Sequence, residues 1–277
     1  MKKRKINPGF IFKIILLAII TIIILSPIFL VILTSFKTEA EFNSNPTGLP
    51  AGLSFKAYKQ VFEYAGIPSS FLNSAIITIF SLLGQIFFGS LAAYALTKMN
   101  FKRSNIFLNI YLFPIIFSIQ MVILPVFIIF KYLNLINTHL GAIIIYIATG
   151  LPISVFILAK FLRTIPNSLC EAAQVEGASH FQIYYKIILP ILKAPIAAIA
   201  IINGLAVWND FFVPLMFFTE GKIRTLPLGI FLFNNPYFVK WTFVSADIVI
   251  IVLPLIVLYV ALQKFIIKGV VEGAVKG

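Results

Sequence analysis

Apolar residues run in six long blocks along this chain, at about 10–33, 71–96, 105–130, 140–162, 194–218 and 243–263, with charged, Gly and Pro residues collecting between them. Each block is long enough to cross a hydrocarbon core, which takes ~20 apolar residues as a helix. The pattern predicts an all-α, polytopic membrane protein with six transmembrane helices. No intervening stretch is long enough for a separate soluble domain. Residues 1–277 therefore read as a single transmembrane domain with one long cytoplasmic loop at 164–193 and a tail at 264–277. The first block follows a basic start, as a signal peptide would, but it is too long and lacks a small-x-small cleavage site before Phe36 and Lys37, so it is expected to stay as the first span. In the loop from 36 to 70, turn residues at 43–50 precede Leu53, Phe55, Tyr58, Val61 and Phe62 at roughly helical spacing, which predicts a short interfacial helix.

Composition agrees, with 60% hydrophobic and 11% charged residues and a mean hydropathy of +1.03. An even number of spans puts both termini on one side, and the basic residues choose which. The side carrying the termini holds 15 of the 22 Lys and Arg, and the opposite side holds 7: Lys37, Lys56, Lys59, Lys131, Lys222, Arg224 and Lys240. By the positive-inside rule both termini are cytoplasmic. That face then accounts for +12 of the net charge of +13. A basic surface against anionic lipid explains the charge without nucleic acid. The single Cys170 excludes an internal disulfide and a thiolate zinc site, and His139 and His180 have no partners at metal or catalytic spacing.

The segment between the fourth and fifth blocks is more than a connector. Ser168-Leu169-Cys170-Glu171 has capping-box spacing just after Pro166, predicting a helix through Ala172, Ala173 and Glu176 to a turn at Gly177. Ser179-His180-Phe181-Gln182 repeats the signal and predicts a second helix through Tyr184, Tyr185, Ile187 and Ile188 to Pro190. The expectation is helix, glycine turn, helix.

At these residues a resemblance appears. Glu171-Ala172-Ala173, Gly177, Ile188-Leu189-Pro190 and Pro195 resemble the EAA loop of the permease subunits of bacterial ABC importers, with Glu176 where aspartate is more usual in that family. Asn73-Ser74, Ala93-Tyr94-Ala95 with Lys98, Leu135-Ile136-Asn137-Thr138, Leu151-Pro152, Trp208-Asn209-Asp210-Phe211 and the tail Gly273-Ala274-Val275-Lys276-Gly277 resemble carbohydrate importers, and among them the smaller permease subunit of the maltose transporter. The likeness covers about residues 70–277. It implies a type I ABC importer permease fold in the bacterial cytoplasmic membrane. It also implies a second, non-identical permease subunit, two ATP-binding subunits that hold ATP-Mg, and an extracytoplasmic sugar-binding protein. The loop would dock on an ATPase through Glu171, Ala172, Ala173, Glu176, Gly177 and Pro190, and the tail would reach between the ATPases. Asn234, Asn235, Pro236 and Tyr237 would form a tip that meets the binding protein, and a plain solvated hairpin is the other reading.

Asn209, Asp210 and Asp247 fall within apolar blocks, where a carboxylate is either functional or merely caps, pairs or meets outer water. Ser74, Thr78, Ser81, Gln85, Gly89 and Ala93 form a small and polar stripe that either packs a helix or lines a path. No Gly-x-x-x-x-Gly-Lys-Ser/Thr loop, His-Glu-x-x-His or Gly-x-Ser-x-Gly is present, so the chain reads as a non-enzyme that holds no cofactor of its own. The competing class is an ion-coupled secondary carrier using Asp210 or Asp247, which leaves the helical turn at 171–190 without a purpose. Prolines 114, 125, 152, 214 and 254 inside the blocks predict kinks.

Overall fold

A computed structural model describes residues 8–99, 102–235 and 238–274. In chain order the helices are α1 (Pro8–Ser35), α2 (Glu39–Ser44), α3 (Lys56–Tyr64), α4 (Ile67–Lys98), α5 (Ser104–Leu112), α6 (Ile119–Tyr132), α7 (His139–Arg163) and α8 (Ser168–Val175). They continue with α9 (His180–Ile183), α10 (Leu189–Ile191), α11 (Lys193–Asn209), α12 (Phe212–Phe217), α13 (Leu226–Gly229) and α14 (Trp241–Ala274). The strands β1 (Asn234–Asn235) and β2 (Phe238–Val239) pair antiparallel just before α14.

The stretch Phe12–Ser35 of α1, together with α4 and α7, is long and apolar enough to cross a membrane. The expected third span is not one straight rod. Ser104–Ile116 and Ile119–Tyr132 meet at 96°, where Phe117 takes an extended conformation after the Pro114 turn. The fifth is also broken: α11 ends at Asn209, Asp210 is extended, and α12 restarts at Phe212. The sixth block lies within α14.

The described residues group into two compact units. The first comprises residues up to Ile67 and Gly229–Val252. Its α1 exposes apolar side chains on every face, as a helix among lipid tails would. Beyond α1 the loop is built rather than loose. Lys37 is almost wholly buried, and its Nζ donates to the carbonyls of Asn45 and Pro46 at 2.9 and 3.1 Å. The Phe36 ring meets Phe55 edge-on and Tyr58 at a tilt, and Tyr58 shares a 2.7 Å hydrogen bond with Ser35. The short helix predicted after the turn is α3. It buries Ala57 and Val61, while Leu53, Phe55 and Phe62 stay exposed.

The second unit comprises Pro68–Leu228 and the chain from Leu253 onward. Here the small and polar stripe of α4 packs helices. Gln85 donates to the Tyr146 carbonyl at 2.7 Å, and Asn203 of α11 donates to Gln85 Oε1 at 2.7 Å and to Ser154 Oγ at 3.0 Å. Gly150 permits this approach, since a Cβ there would stand 2.3 Å from the Gln85 amide. Small residues with interhelical amide bonds are what hold helices together where no hydrophobic force acts between them.

Candidate functional site

Two places in the second unit gather the residues singled out by sequence. The first is the segment after α7. Helix α8 begins at Ser168, but not through the expected capping box. Asn167 already has helical angles, its carbonyl accepts from Cys170 and Glu171, and its side-chain Oδ1 accepts from Lys98 at 2.8 Å. Ser168 therefore sits inside the first turn, where its hydroxyl cannot serve as the flanking cap. The second box forms as expected: Gln182 N–H donates to Ser179 Oγ, and Ser179 N–H to Gln182 Oε1. Between them Gly177 takes φ +85°, the left-handed conformation that ends helices, with nothing within 4 Å of the position a Cβ would occupy.

Past α9 the backbone widens into a π-helical turn, Tyr184–Ile188, in which Leu189 N–H donates to Tyr184 five residues back. Pro190 follows at once and has no N–H for an ordinary helical bond. The wider turn carries the helix across it.

The segment has an inner and an outer face. Cys170, Ala173, Ile183, Tyr184 and Ile188 pack against Tyr94, Leu158 and Leu162. Val175, Phe181 and Tyr185 face outward, 90%, 72% and 62% exposed, with Glu171, Ala172, Glu176 and Pro190 also outside. The expected alanine pair is thus split: Ala172 is presented outward and Ala173 belongs to the chain's own core. Burial pushes the Cys170 thiol above its ordinary pKa, with Lys98 opposing and Glu171 adding to the shift.

The second place is a cavity of about 1010 Å³ lined by both helix breaks: Phe117 beside the first, Asn209, Asp210 and Phe211 at the second, with Tyr146 and Thr149 of α7. Asp210 is the hinge of the α11–α12 break. Its Oδ1 accepts from Phe212 N–H at 3.0 Å, and its Oδ2 accepts from Val213 N–H at 3.2 Å and from the Tyr146 hydroxyl at 2.7 Å. Irregular backbone inside a membrane protein is tolerated where it is buried in protein or lines a cavity, and Asp210 satisfies the donors that the break frees. Asn209 and Asp210 come together here. Asp247 does not: it lies on α14 in the first unit, fully buried, with no hydrogen-bond partner for either oxygen among the described residues. Gly229 faces it so closely that a Cβ would stand 3.1 Å from Asp247 Oδ2.

Asn234 and Asn235 form β1, while Pro236 and Tyr237 lie outside the described residues, as do Val275, Lys276 and Gly277 of the tail; the backbone of Gly273 and Ala274 completes α14. The two histidines have structural partners: His139 Nε2 meets Asn73 Oδ1 at 2.8 Å, and His180 Nδ1 meets the Tyr94 hydroxyl at 3.3 Å.

Residues 85–272 match the family model described as the binding-protein-dependent transport system inner membrane component. The chain belongs to this family. Its members are transport permeases rather than enzymes. This permease is 35% identical over 257 residues to the melibiose/raffinose/stachyose import permease protein MelC of Bacillus subtilis, covering 91% of each chain. It is 33% identical over 258 residues to the probable starch degradation products transport system permease protein AmyC of Thermoanaerobacterium thermosulfurigenes, covering 93% of this chain and 94% of that one. Its fold matches a chain of a bacterial ABC transporter involved in import of the acidic polysaccharide alginate, with a TM-score of 0.76, 26% identity, and coverage of 95% and 99% of the two chains.

Proposed function

We propose that this chain is one permease subunit of an ABC importer that moves a sugar or oligosaccharide into the cytoplasm by alternating access. Six spans, formed by α1, α4, α5 with α6, α7, α11 with α12, and α14, place both termini and the segment at 164–193 in the cytoplasm of a bacterial cell. A non-identical permease subunit, two ATPase subunits and an extracytoplasmic sugar-binding protein complete the importer. The whole of residues 1–277 works as one transmembrane domain.

The observation that carries the reading is the outward face of the α8–Gly177–α9 turn. Val175, Phe181 and Tyr185 stand exposed on a segment whose other face is firmly packed, so a partner has to cover them. An ATPase cleft is the partner that the resemblance implies. Glu171, Ala172, Glu176, Gly177 and Pro190 border that surface. The cavity at Asn209 and Asp210 forms part of the sugar path. The tail at 273–277 reaches the ATPases, and the tip at Asn234–Tyr237 meets the binding protein. An ion-coupled carrier using Asp210 or Asp247 is not favoured: the chain matches the binding-protein-dependent transport family, Asp210 is committed to capping α12 and to Tyr146, and Asp247 does not line the cavity.

The test is purification with the partner subunits, reconstitution into vesicles and a screen of sugar-loaded binding protein for stimulation of ATP hydrolysis. ATP-dependent uptake that survives collapse of proton and sodium gradients is the expected result. Uptake by this chain alone, driven by an ion gradient, would overturn the reading.

A further inference from the structure

The cytoplasmic segment is joined through the chain to two spans, α7 before it and α11 after it. The structure adds a third attachment. Ser90, Tyr94 and Lys98 lie four residues apart on one edge of α4, a single face covering ~12 Å of helix. Each reaches the cytoplasmic segment. Ser90 Oγ shares a 2.7 Å hydrogen bond with the Tyr184 hydroxyl, the Tyr94 hydroxyl meets His180 Nδ1 at 3.3 Å, and Lys98 Nζ donates to the Ile165 carbonyl and to Asn167 Oδ1. Together they touch the start of α8, the start of α9 and the π-helical turn.

These are expensive groups to place in a packed core if adhesion were their only purpose. Ser90 is fully buried, and Tyr94 and Lys98 nearly so. Apolar residues at the same positions would adhere without the cost of desolvating a hydroxyl or an ammonium. What directional bonds add is register: the segment cannot slide or roll along α4 without breaking all three. Five residues before Ser90, the same helix carries Gln85, which bonds to the Tyr146 carbonyl and accepts from Asn203, two residues that line the cavity.

We propose that Ser90, Tyr94 and Lys98 are positioning residues that clamp the cytoplasmic segment to α4, so that displacement of the segment by the ATPase is delivered through α4 and Gln85 to the cavity. This rests on the permease reading above. It assigns a role to the Ala93-Tyr94-Ala95 and Lys98 motif that a connector helix would not need.

The experiment uses the complete importer with its binding protein in vesicles and reads two quantities together, ATP hydrolysed and sugar imported. The variants are Ser90→Ala, Tyr94→Phe and Lys98→Met, singly and combined, each shortening or removing one polar group. In the combined variant, ATP consumed per sugar imported should rise at least about fivefold, the lower end of couplings measured between distant sites. Lys98→Arg should restore the ratio in the single-site series, because a guanidinium can donate to both acceptors. A ratio equal to wild type in the combined variant, however much assembled complex remains, would overturn the clamp, since a purely structural role lowers both activities in step. Failure of the permease reading looks different: the unaltered importer itself would then import without ATP.

Discussion

The phenolic hydroxyl of Tyr146, on α7, donates to Oδ2 of Asp210 at 2.7 Å, and that same carboxylate caps the restarted helix through the N–H groups of Phe212 and Val213. One side chain thus closes a helix break and ties it to a neighbouring helix.

Removing the tie should cost stability before it costs transport. Tyr146→Phe deletes one hydrogen bond to an acidic side chain and should destabilise the detergent-solubilised protein by on the order of 1–3 kcal/mol. Asp210→Asn keeps an amide oxygen for the cap and should lower uptake by less than about tenfold, since Asn and Asp cap almost equally well. Thermal unfolding of the two single variants and the double variant measures the pairwise term. Additive losses would show that the two groups act separately.

Gly177 tests the turn. Its φ of +85° is strained for any L-residue, and a β-branched one pays most. Gly177→Val should leave membrane insertion intact while reducing sugar uptake at least about fivefold, given ~1–3 kcal/mol of local strain at the proposed docking surface. Because nothing beyond its chain neighbours lies within 4 Å of the position a Cβ would take, Gly177→Asn should be milder than Gly177→Val despite its polarity. Uptake in vesicles, with co-purification of the ATPase as control, decides it. Wild-type uptake in Gly177→Val would remove the turn from the coupling scheme.

Cys170 makes a prediction about pH. The folded state favours its thiol form, so above the ordinary thiol pKa of about 8.5 an unfolded chain releases a proton that the folded one retains. Stability of the segment should therefore be constant below about pH 8 and fall as pH rises through the window above it. Alkylation by a maleimide at pH 7.5 should be slow in the native protein and fast after unfolding in detergent. Rapid native labelling would mean that α8 opens readily.

The hairpin tip is expected to tolerate shortening. Lys240 N–H donates to the Phe233 carbonyl at 3.3 Å, so the hairpin's base is closed independently of its tip. Deleting Asn234 through Tyr237 should abolish stimulation of ATP hydrolysis by sugar-loaded binding protein while hydrolysis remains measurable in its absence. Unchanged stimulation would leave the tip as a connector.

How much of this was legible in the chain varies with the range of the interaction. The bounds of α1, α4 and α7 were readable because hydropathy is a sum over ~20 residues and tolerates local irregularity. Pro114 and Pro214 mark the neighbourhoods of the breaks at Phe117 and Asp210, three and four residues away, but hydropathy gives neither the exact residue nor the sharpness of the bend, because one or two residues leaving helical angles barely change such a sum. The Ser179 box was readable and the Ser168 box misleading for a related reason: both have the spacing, but Lys98, 70 residues upstream of Ser168, engages Asn167 and helical geometry starts one residue earlier than the motif expects. The clamp on α4 was out of reach altogether. Ser90, Tyr94 and Lys98 are visible as a stripe only when their partners, 67 to 94 residues away, are known. The alanine pair shows the limit of a motif: adjacency in sequence places Ala172 and Ala173 on different faces.

Lys37 bears on how the membrane topology of this protein should be mapped. Its ammonium is sequestered between two backbone carbonyls. A membrane-impermeant amine reagent would pass it by from either side of the bilayer. Its protection would then be mistaken for burial in lipid or for the opposite compartment. Lys56 and Lys59, exposed on the neighbouring helix, are the residues whose labelling would report the true side.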